Sequence, residues 1–195
     1  MTSILVVCSG NICRSPIAEG LLRDALVSRF GSEAPIVSSA GTIAVEGALP
    51  SDGSVTAAAE RGSDIAAHRA RRLTRDLAGA ADLVVGMAGE HREWLADAPE
   101  IAGRTFTLKE LVRLLGSLPP AAPGAGPDIL PERVAEASDA RAGGFAGNPL
   151  DEDIADPLGM PLQTYRAVAW ELDEWIDRLL DGLYGTRRLF AAGEG

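Results

Sequence analysis

Residues 4–22 read ILVVCSGNICRSPIAEGLL, and this stretch decides the fold. The apolar run at residues 4–7 predicts a buried strand, and the small polar residues after it predict a loop. Ser15 suits a helix N-cap and Pro16 the first helical position, and apolar residues then recur at helical spacing as far as Phe30. A strand, a loop of small residues and a helix in this order are typical of the first unit of an α/β domain.

The rest of the chain repeats this alternation of short apolar runs and helical patterns. We predict strands at Ile36–Ser38, Leu83–Val85 and Thr105–Phe106, and helices at Ser54–Arg61, Leu108–Leu115 and Leu162–Leu183. Because the strands are apolar nearly throughout, they fit a parallel sheet that helices cover on both faces. The pattern therefore predicts one doubly wound α/β domain spanning residues 1–183.

Two regions depart from this pattern. Residues 117–149 are rich in Pro, Gly and Ala, and we predict a long, mostly disordered insert loop with one short helix around Glu132–Ala140. Residues 184–195 are predicted to be a disordered tail.

Composition excludes several classes of function. The 28 acidic and 18 basic residues give a formal charge of -10, which opposes binding to nucleic acid or to an anionic membrane. The two cysteines, Cys8 and Cys13, are too few for a disulfide scaffold and favour a reducing compartment. No signal-peptide pattern or transmembrane stretch is evident, so we expect a cytoplasmic protein without membrane insertion.

The loop from Cys8 to Ser15 has the properties of an anion site. Small residues let backbone N–H groups converge on an anion, and the following helix N-terminus adds its dipole. Arg14 offers a planar fork for two phosphate oxygens, and the same donors stabilise the thiolate of Cys8, which is its nucleophilic form. The alternative is that Cys8 and Cys13 are ordinary buried residues and Arg14 lies on the surface. The spacing alone is loose, but the predicted strand before the loop and helix after it favour a phosphatase.

The segment Val7–Pro16 resembles the signature loop of the low-molecular-weight protein tyrosine phosphatases. The resemblance continues at residues 38–42 (SSAGT), His68 with Arg71, Arg72 and Leu73, residues 81–84 (ADLV) and Asp156-Pro157. It implies a flavodoxin-like, four-stranded parallel sheet. It also implies hydrolysis of protein phosphotyrosine through a cysteinyl-phosphate intermediate, with no metal and no other cofactor.

The resemblance also implies roles for individual residues. It gives Cys8, Arg14 and Asp156 as catalytic, Ser9, Gly10, Asn11, Ile12, Cys13, Arg14 and Ser15 as phosphate-binding, and Asn11, Ser15, Ser39 and His68 as supporting hydrogen-bond partners. Asp156 would protonate the leaving oxygen and later take a proton from water. Pro157 restricts Asp156 to extended backbone, which favours it over Asp151 and Asp153, here interpreted as solvated loop carboxylates.

The substrate pocket departs from the family pattern. The family commonly carries an aromatic wall after Asp-Pro, whereas Leu158-Gly159 follows here, so we expect an aliphatic pocket. Ile12 is similar to the residue of tyrosine phosphatases, and the related protein-arginine phosphatases carry Thr there. The sequence Phe106–Glu110 also occurs in that branch. We favour phosphotyrosine, with phosphoarginine as the alternative.

Two further alternatives follow from the same loop. Arsenate reductases resemble it, but the thioredoxin-coupled type needs resolving cysteines downstream, and none follows Cys13. A phosphate- or phosphopeptide-binding module without turnover would need neither Cys8 nor Asp156. The arginines at 69, 71, 72 and 75 are interpreted as a solvated face. Expected partners are phosphotyrosine proteins and a cognate tyrosine kinase, and we expect a monomer.

Overall fold

A computed structural model describes residues 1–144 and 151–186 of the chain. Its strands are β1 Ser3–Cys8, β2 Ile36–Gly41, β3 Leu83–Gly86 and β4 Thr105–Thr107. They form one sheet in the order β2-β1-β3-β4, and every neighbouring pair is parallel. The carboxyl ends of all four strands therefore lie at one edge of the sheet, where β1 and β2 end side by side at Cys8 and Gly41.

The α-helices are α1 Arg14–Phe30, α2 Asp52–Glu60, α3 Arg75–Gly79, α4 Gly89–Glu93, α5 Pro99–Ala102, α6 Leu108–Ser117, α7 Leu130–Ala142 and α8 Leu162–Tyr184. Helices α1 to α5 lie in the connections between these strands, and α6 to α8 follow β4. The predicted doubly wound, four-stranded parallel fold is confirmed. Within the described residues, no helix has the length and apolar character needed to cross a membrane.

The two faces of the sheet carry two separate apolar clusters. Ile4 and Val6 of β1 point to the face covered by α1, α2, α6, α7 and α8, while Leu5 and Val7 point to the face covered by α3 and α5. This alternation follows from the two-residue period of a strand. Because β1 is buried on both faces, the loop that follows it starts from a fixed position.

The short helix predicted within the insert is present, but the helical part of the insert extends over residues 130–142. Helix α7 is longer than the predicted short helix, and it buries Leu130, Val134 and Ala137 in the same cluster as α1 and α8. The prolines misled the sequence interpretation, because Pro127 and Pro131 stand at the starts of helical turns, where proline is tolerated. Residues 145–149 of the insert lie outside the described residues.

Two boundary predictions are also corrected. Helix α1 begins at Arg14, the N-cap position is Cys13, and no side chain caps the helix, so Ser15 lies inside the first turn. Tyr184, assigned to the tail, ends α8 in a buried position and packs edge-on against Phe30 at 4.9 Å between ring centroids. The predicted tail from residue 187 onward lies outside the described residues.

Candidate active site

The site lies where the sheet connections diverge. Strand β1 has β2 on one side and β3 on the other, and ligands of open α/β sheets bind in the crevice at the carboxyl ends of such strands. Residues 9–13 connect β1 to α1 there, and helix α4 after β3 brings Glu90 and His91 beside them. The motif singled out in the sequence therefore stands at the position that the topology favours.

The sulfur of Cys8 is buried and is surrounded by hydrogen-bond donors. The backbone N–H of Asn11 donates to Cys8 Sγ at 3.2 Å, and Ser15 Oγ lies 2.9 Å from the same sulfur. Ser15 lies inside the first turn of α1 and is not the N-cap that the sequence predicted. Its hydroxyl instead faces Cys8, which is consistent with its predicted role as a supporting hydrogen-bond partner.

The direction of each hydrogen bond around Asn11 can be assigned. The N–H of Arg71 donates to Asn11 Oδ1 at 2.9 Å, which leaves Asn11 Nδ2 to donate to Ser15 Oγ at 2.9 Å and to Ser39 Oγ at 2.7 Å. Since Ser15 Oγ accepts from Asn11, its own proton is available for Cys8 Sγ. The network thus presents two hydrogen-bond donors to the sulfur, the Asn11 N–H and the Ser15 hydroxyl.

Glu19 is the last member of this network, which runs from Cys8 through Ser15, Asn11 and Ser39. Ser39 donates its hydroxyl proton to Glu19 Oε2, and His68 Nδ1 lies 3.5 Å from the same oxygen. Burial works in the opposite direction, but the hydrogen bonds from His68 and Ser39 hold the pKa of Glu19 below its ordinary value. Glu19 is therefore an ionised acceptor, and it fixes the direction in which Ser39 donates.

The phosphate loop has a strained backbone. Asn11 has φ of 54°, and it is the sole non-glycine residue with positive φ within 1–144 and 151–186. That conformation is costly for a residue with a side chain, and it persists where surrounding bonds enforce it. Both ends of the Asn11 side chain are bonded, and its carbonyl accepts from His68 Nε2 at 2.9 Å.

Arg14 joins the loop to the Asp-Pro segment. Its guanidinium is buried and donates from Nη2 to Asp156 Oδ2 at 2.7 Å and to Ser9 Oγ at 3.2 Å, and from Nη1 to the Ile154 carbonyl at 3.1 Å. Asp156 keeps 45% of its side chain exposed, and its second oxygen accepts from the Leu158 N–H at 3.1 Å. The predicted acid therefore contacts the predicted phosphate ligand directly.

Two residues of helix α4, which follows β3, contact the phosphate loop and were not predicted from the sequence. His91 Nε2 and Glu90 Oε1 each lie 3.1 Å from Ser9 Oγ, and the His91 side chain is fully buried. Burial and the positive charge of Arg14 lower the pKa of His91 to about 4, so the ring is neutral at pH 7. His91 stands outside the residues that carry the family resemblance, and a single histidine in a short helix carries no local signal of this contact.

Cys13 is predicted to bind phosphate, but its side chain turns away from Cys8. Its Sγ lies 3.4 Å from Ser51 Oγ, and burial raises the pKa of the Cys13 thiol. Both cysteines are free thiols. Cys13 can therefore bind phosphate through its backbone N–H but not through its side chain. Within the described part of the chain, no cluster of three or more His, Cys, Asp or Glu side chains could hold a metal ion.

Asp151 and Asp153 are not merely solvated, which corrects the expectation above. Asp153 Oδ1 accepts from the Gly89 N–H at the start of α4 at 2.8 Å, and Asp151 Oδ1 lies 3.2 Å from Lys109 Nζ. Arg71, assigned to a solvated face, instead donates from Nε to the Ser39 carbonyl at 2.6 Å. In each case the partner is distant in sequence, so no local pattern revealed it.

The rim of the site carries exposed aliphatic side chains, as expected from the absence of the aromatic wall. They are Ile43, Val45 and Leu49 after β2, and Leu158 and Met160 after the Asp-Pro pair. The first of these segments is tied to the phosphate loop, because the Ile43 N–H donates to the Ser9 carbonyl at 3.0 Å and the Ser51 N–H to the Ile12 carbonyl at 2.9 Å.

Known proteins share both the sequence and the fold. The family model described as low molecular weight phosphotyrosine protein phosphatase matches residues 3–117. The chain is 33% identical over 181 residues to a protein-arginine-phosphatase from Geobacillus stearothermophilus, covering 92% of this chain and 95% of that protein. It is 45% identical over 112 residues to EpsP of Ralstonia solanacearum, a probable low molecular weight protein-tyrosine-phosphatase, covering 56% of this chain and 72% of the relative. The low molecular weight protein tyrosine phosphatase of T. tengcongensis superposes with a TM-score of 0.69 at 33% identity, covering 94% of this chain and all of that one (100%).

The chain belongs to the low-molecular-weight phosphotyrosine protein phosphatase family, as the residues from Val7 to Pro16 predict. It is a phosphatase of that family. The family model ends at residue 117, where the insert that contains α7 begins.

Proposed function

We propose that this phosphatase hydrolyses phosphotyrosine in proteins through a cysteinyl-phosphate intermediate, without a metal ion. One observation carries the proposal. The phosphate loop brings two contacts together: the Asn11 N–H donates to Cys8 Sγ, and Arg14 Nη2 donates to Asp156 Oδ2 at 2.7 Å. Nucleophile, phosphate ligand and acid are thereby assembled around one loop.

The first chemical step uses these groups as follows. The amides of residues 9–14 and the Arg14 guanidinium bind the non-bridging phosphate oxygens, and Arg14 exchanges its contact with Asp156 for the phosphate. The Cys8 thiolate then attacks phosphorus, forming the S–P bond as the P–O bond to tyrosine breaks. Protonated Asp156 gives its proton to the departing phenolic oxygen.

The second step releases phosphate. Water attacks the phosphorus of the cysteinyl phosphate, and Asp156, now a carboxylate, accepts a proton from that water. The S–P bond breaks, and the sulfur leaves as a thiolate that the Ser15 hydroxyl stabilises by donating a hydrogen bond. The hydroxyl is available for this because Asn11 Nδ2 already donates to the Ser15 oxygen.

A second candidate substrate is phosphoarginine, and one observation favours it. The protein-arginine-phosphatase of Geobacillus stearothermophilus aligns with 92% of this chain, whereas the tyrosine phosphatase of Ralstonia solanacearum aligns with 56%. Ile12 supports phosphotyrosine, because the arginine phosphatases that resemble this loop carry Thr at that position.

We also propose a cytoplasmic location and phosphotyrosine proteins, with a cognate tyrosine kinase, as partners. A thiolate nucleophile needs a reducing compartment, and both cysteines are free. The formal charge of -10 supports the absence of nucleic acid among the partners. A monomer is proposed for the same reason, since charge of one sign opposes self-association.

The test compares peptides that carry phosphotyrosine, phosphoarginine or phosphoserine, with a metal chelator present. We expect phosphotyrosine to be hydrolysed fastest, and Ile12→Thr to raise the relative rate on phosphoarginine. Cys8→Ser should abolish turnover yet still bind vanadate, because the amides and Arg14 remain. Near wild-type turnover by Cys8→Ser would exclude the covalent mechanism, and faster wild-type hydrolysis of phosphoarginine would replace the substrate assignment.

A further inference from the structure

The segment that carries Asp156 is held at several points along its length. The Ile154 side chain is buried, its N–H donates to the Met87 carbonyl at 2.8 Å, and its carbonyl accepts from Arg14. Asp153 accepts from the Gly89 N–H. These contacts connect the segment to the carboxyl end of β3 and to α4, so the direction of Asp156 depends on how its approach is anchored.

Glu152 provides an anchor of a different kind. It is 7% exposed, and a buried carboxylate is costly unless cations and donors surround it. Its Oε2 lies 3.4 Å from Arg92 Nη1 on α4, and its Oε1 lies 3.5 Å from Arg113 Nη2 on α6. The carboxylate therefore joins two helices at a point two residues before Ile154.

The same cations continue toward the insert. Arg92 Nη1 lies 3.0 Å from Glu110 Oε1, and Glu110 is buried at the start of α6, where it forms a capping box with Thr107. Arg141 of α7 lies 3.6 Å from the same Glu110 oxygen, and its guanidinium lies 4.3 Å from the centre of the Phe106 ring. Alternating charges thus run without interruption from the insert helix to the Asp156 segment.

We propose that Glu152, through its ion pairs with Arg92 and Arg113, is a positioning residue for Asp156. The inference rests on the proposed function, in which Asp156 is the general acid. Three residues separate the two carboxylates. Asp153 and Ile154 stay bound between them, so release of Glu152 would shift the segment at its base without freeing it. A displacement of about 1 Å in a catalytic group lowers rates by about 10²-fold.

The test uses Glu152→Gln, which keeps size and removes the charge that Arg92 and Arg113 neutralise. We expect kcat/KM, which reports the step in which the leaving group departs, to fall about 10-fold for a phosphotyrosine peptide and to change less than about 2-fold for p-nitrophenyl phosphate, whose phenol leaves readily. In an Asp156→Ala background, Glu152→Gln should have no further effect. Glu60→Gln, which makes the same change in the Glu60–Arg166 ion pair on α2 and α8, is the matched control.

A merely structural role for Glu152 gives different results. Equal losses on both substrates, or a loss that adds to that of Asp156→Ala, overturn the proposal. If Glu152→Gln does not fold, Arg92→Gln serves instead, because Glu152 then keeps one cation, Arg113. The loss of activity in Arg92→Gln should show the same dependence on the leaving group. If Asp156→Ala itself shows no such dependence, the proposed acid fails. If Asp156→Ala shows a loss that depends on the leaving group and Glu152→Gln shows none, only the positioning role of Glu152 fails.

Discussion

Asp156 shows how one side chain can belong to two parts of the site. One of its oxygens binds Arg14, and the other accepts from the Leu158 N–H within its own turn. The carboxyl is therefore oriented before substrate arrives. Exchange of Arg14 from Asp156 to phosphate would release one oxygen toward the leaving group while the other stays fixed.

Replacing Asp156 tests this role. Asp156→Ala should slow hydrolysis of phosphotyrosine by ~10²- to 10⁴-fold and reduce the dependence of kcat on pH, because proton donation is lost. The loss on p-nitrophenyl phosphate should be smaller, since that phenol gains less from protonation. Rates on both substrates are measured by phosphate release.

Two further variants separate acid catalysis from binding. Asp156→Asn keeps a partner for Arg14 but cannot transfer a proton as a carboxyl does, so it should be as slow as Asp156→Ala. Asp151→Asn should remain within about 3-fold of wild type, because the Asp151 side chain is exposed and the buried Lys109 keeps its ion pair with Glu171. Equal losses on both substrates at Asp156 would indicate lost binding and contradict the assignment.

At the level of elements, the phosphate loop depends on its close packing against the end of β2. A Cβ added at Gly41 would lie 2.5 Å from the Ser9 carbonyl oxygen and 2.9 Å from the Asn11 nitrogen. Both contacts are with backbone, which cannot rotate away. The absence of a side chain at the end of β2 thus allows the loop to take the conformation that places Asn11 at positive φ.

Gly41→Ala should therefore disturb the site more than the fold. We expect a loss of stability of about 1–3 kcal/mol, and a loss of kcat/KM beyond what the unfolded fraction explains. Gly116→Ala is the control, because a Cβ there meets no atom within 4 Å and alanine favours helix. Thermal unfolding and activity are measured on both proteins, and an unchanged kcat/KM in Gly41→Ala would contradict the proposed packing constraint.

The elements differ in how far local sequence determines them. The strands and the loop at 8–15 were predictable, because a β-branched run, small residues and a helix pattern occur together within a short stretch. Helix α7 was predicted too short, because the prolines around its start resemble those of a loop. The roles of Glu19, Arg71 and Glu152 were missed because their partners are distant in sequence. Arg71 and Asn11 lie 60 positions apart, and so do Arg92 and Glu152. Contacts of this kind exist only in the folded chain.

Considered as a whole, the molecule buries one titratable ring whose protonation opposes folding. The pKa of an exposed histidine is about 6.5. In the folded protein, burial and the charge of Arg14 lower the pKa of His91 to about 4, while Glu90, Asp153 and Asp156 act in the opposite direction. Between these values the unfolded chain binds more protons than the folded one. The free energy of unfolding must then fall as the pH is lowered from 6.5 toward 4.

His91→Gln should remove this dependence. Between pH 7 and pH 4.5 the wild type should lose about 2 kcal/mol more stability than the variant, a difference measured by denaturant unfolding at both values. Above pH 7 the two stability curves should run parallel, since His91 is neutral there in both states of the wild type. Equal losses in acid would mean that His91 is protonated in the folded protein.

Arg14 and Asp156 meet although they lie 142 positions apart in sequence. During synthesis the phosphate loop leaves the ribosome long before its acid exists. A nascent chain that has emerged only as far as α7 already carries Cys8 and its donors, yet it has nothing to protonate a departing phenol. The order of translation therefore delays the complete set of Cys8, Arg14 and Asp156 until residue 156 has been added.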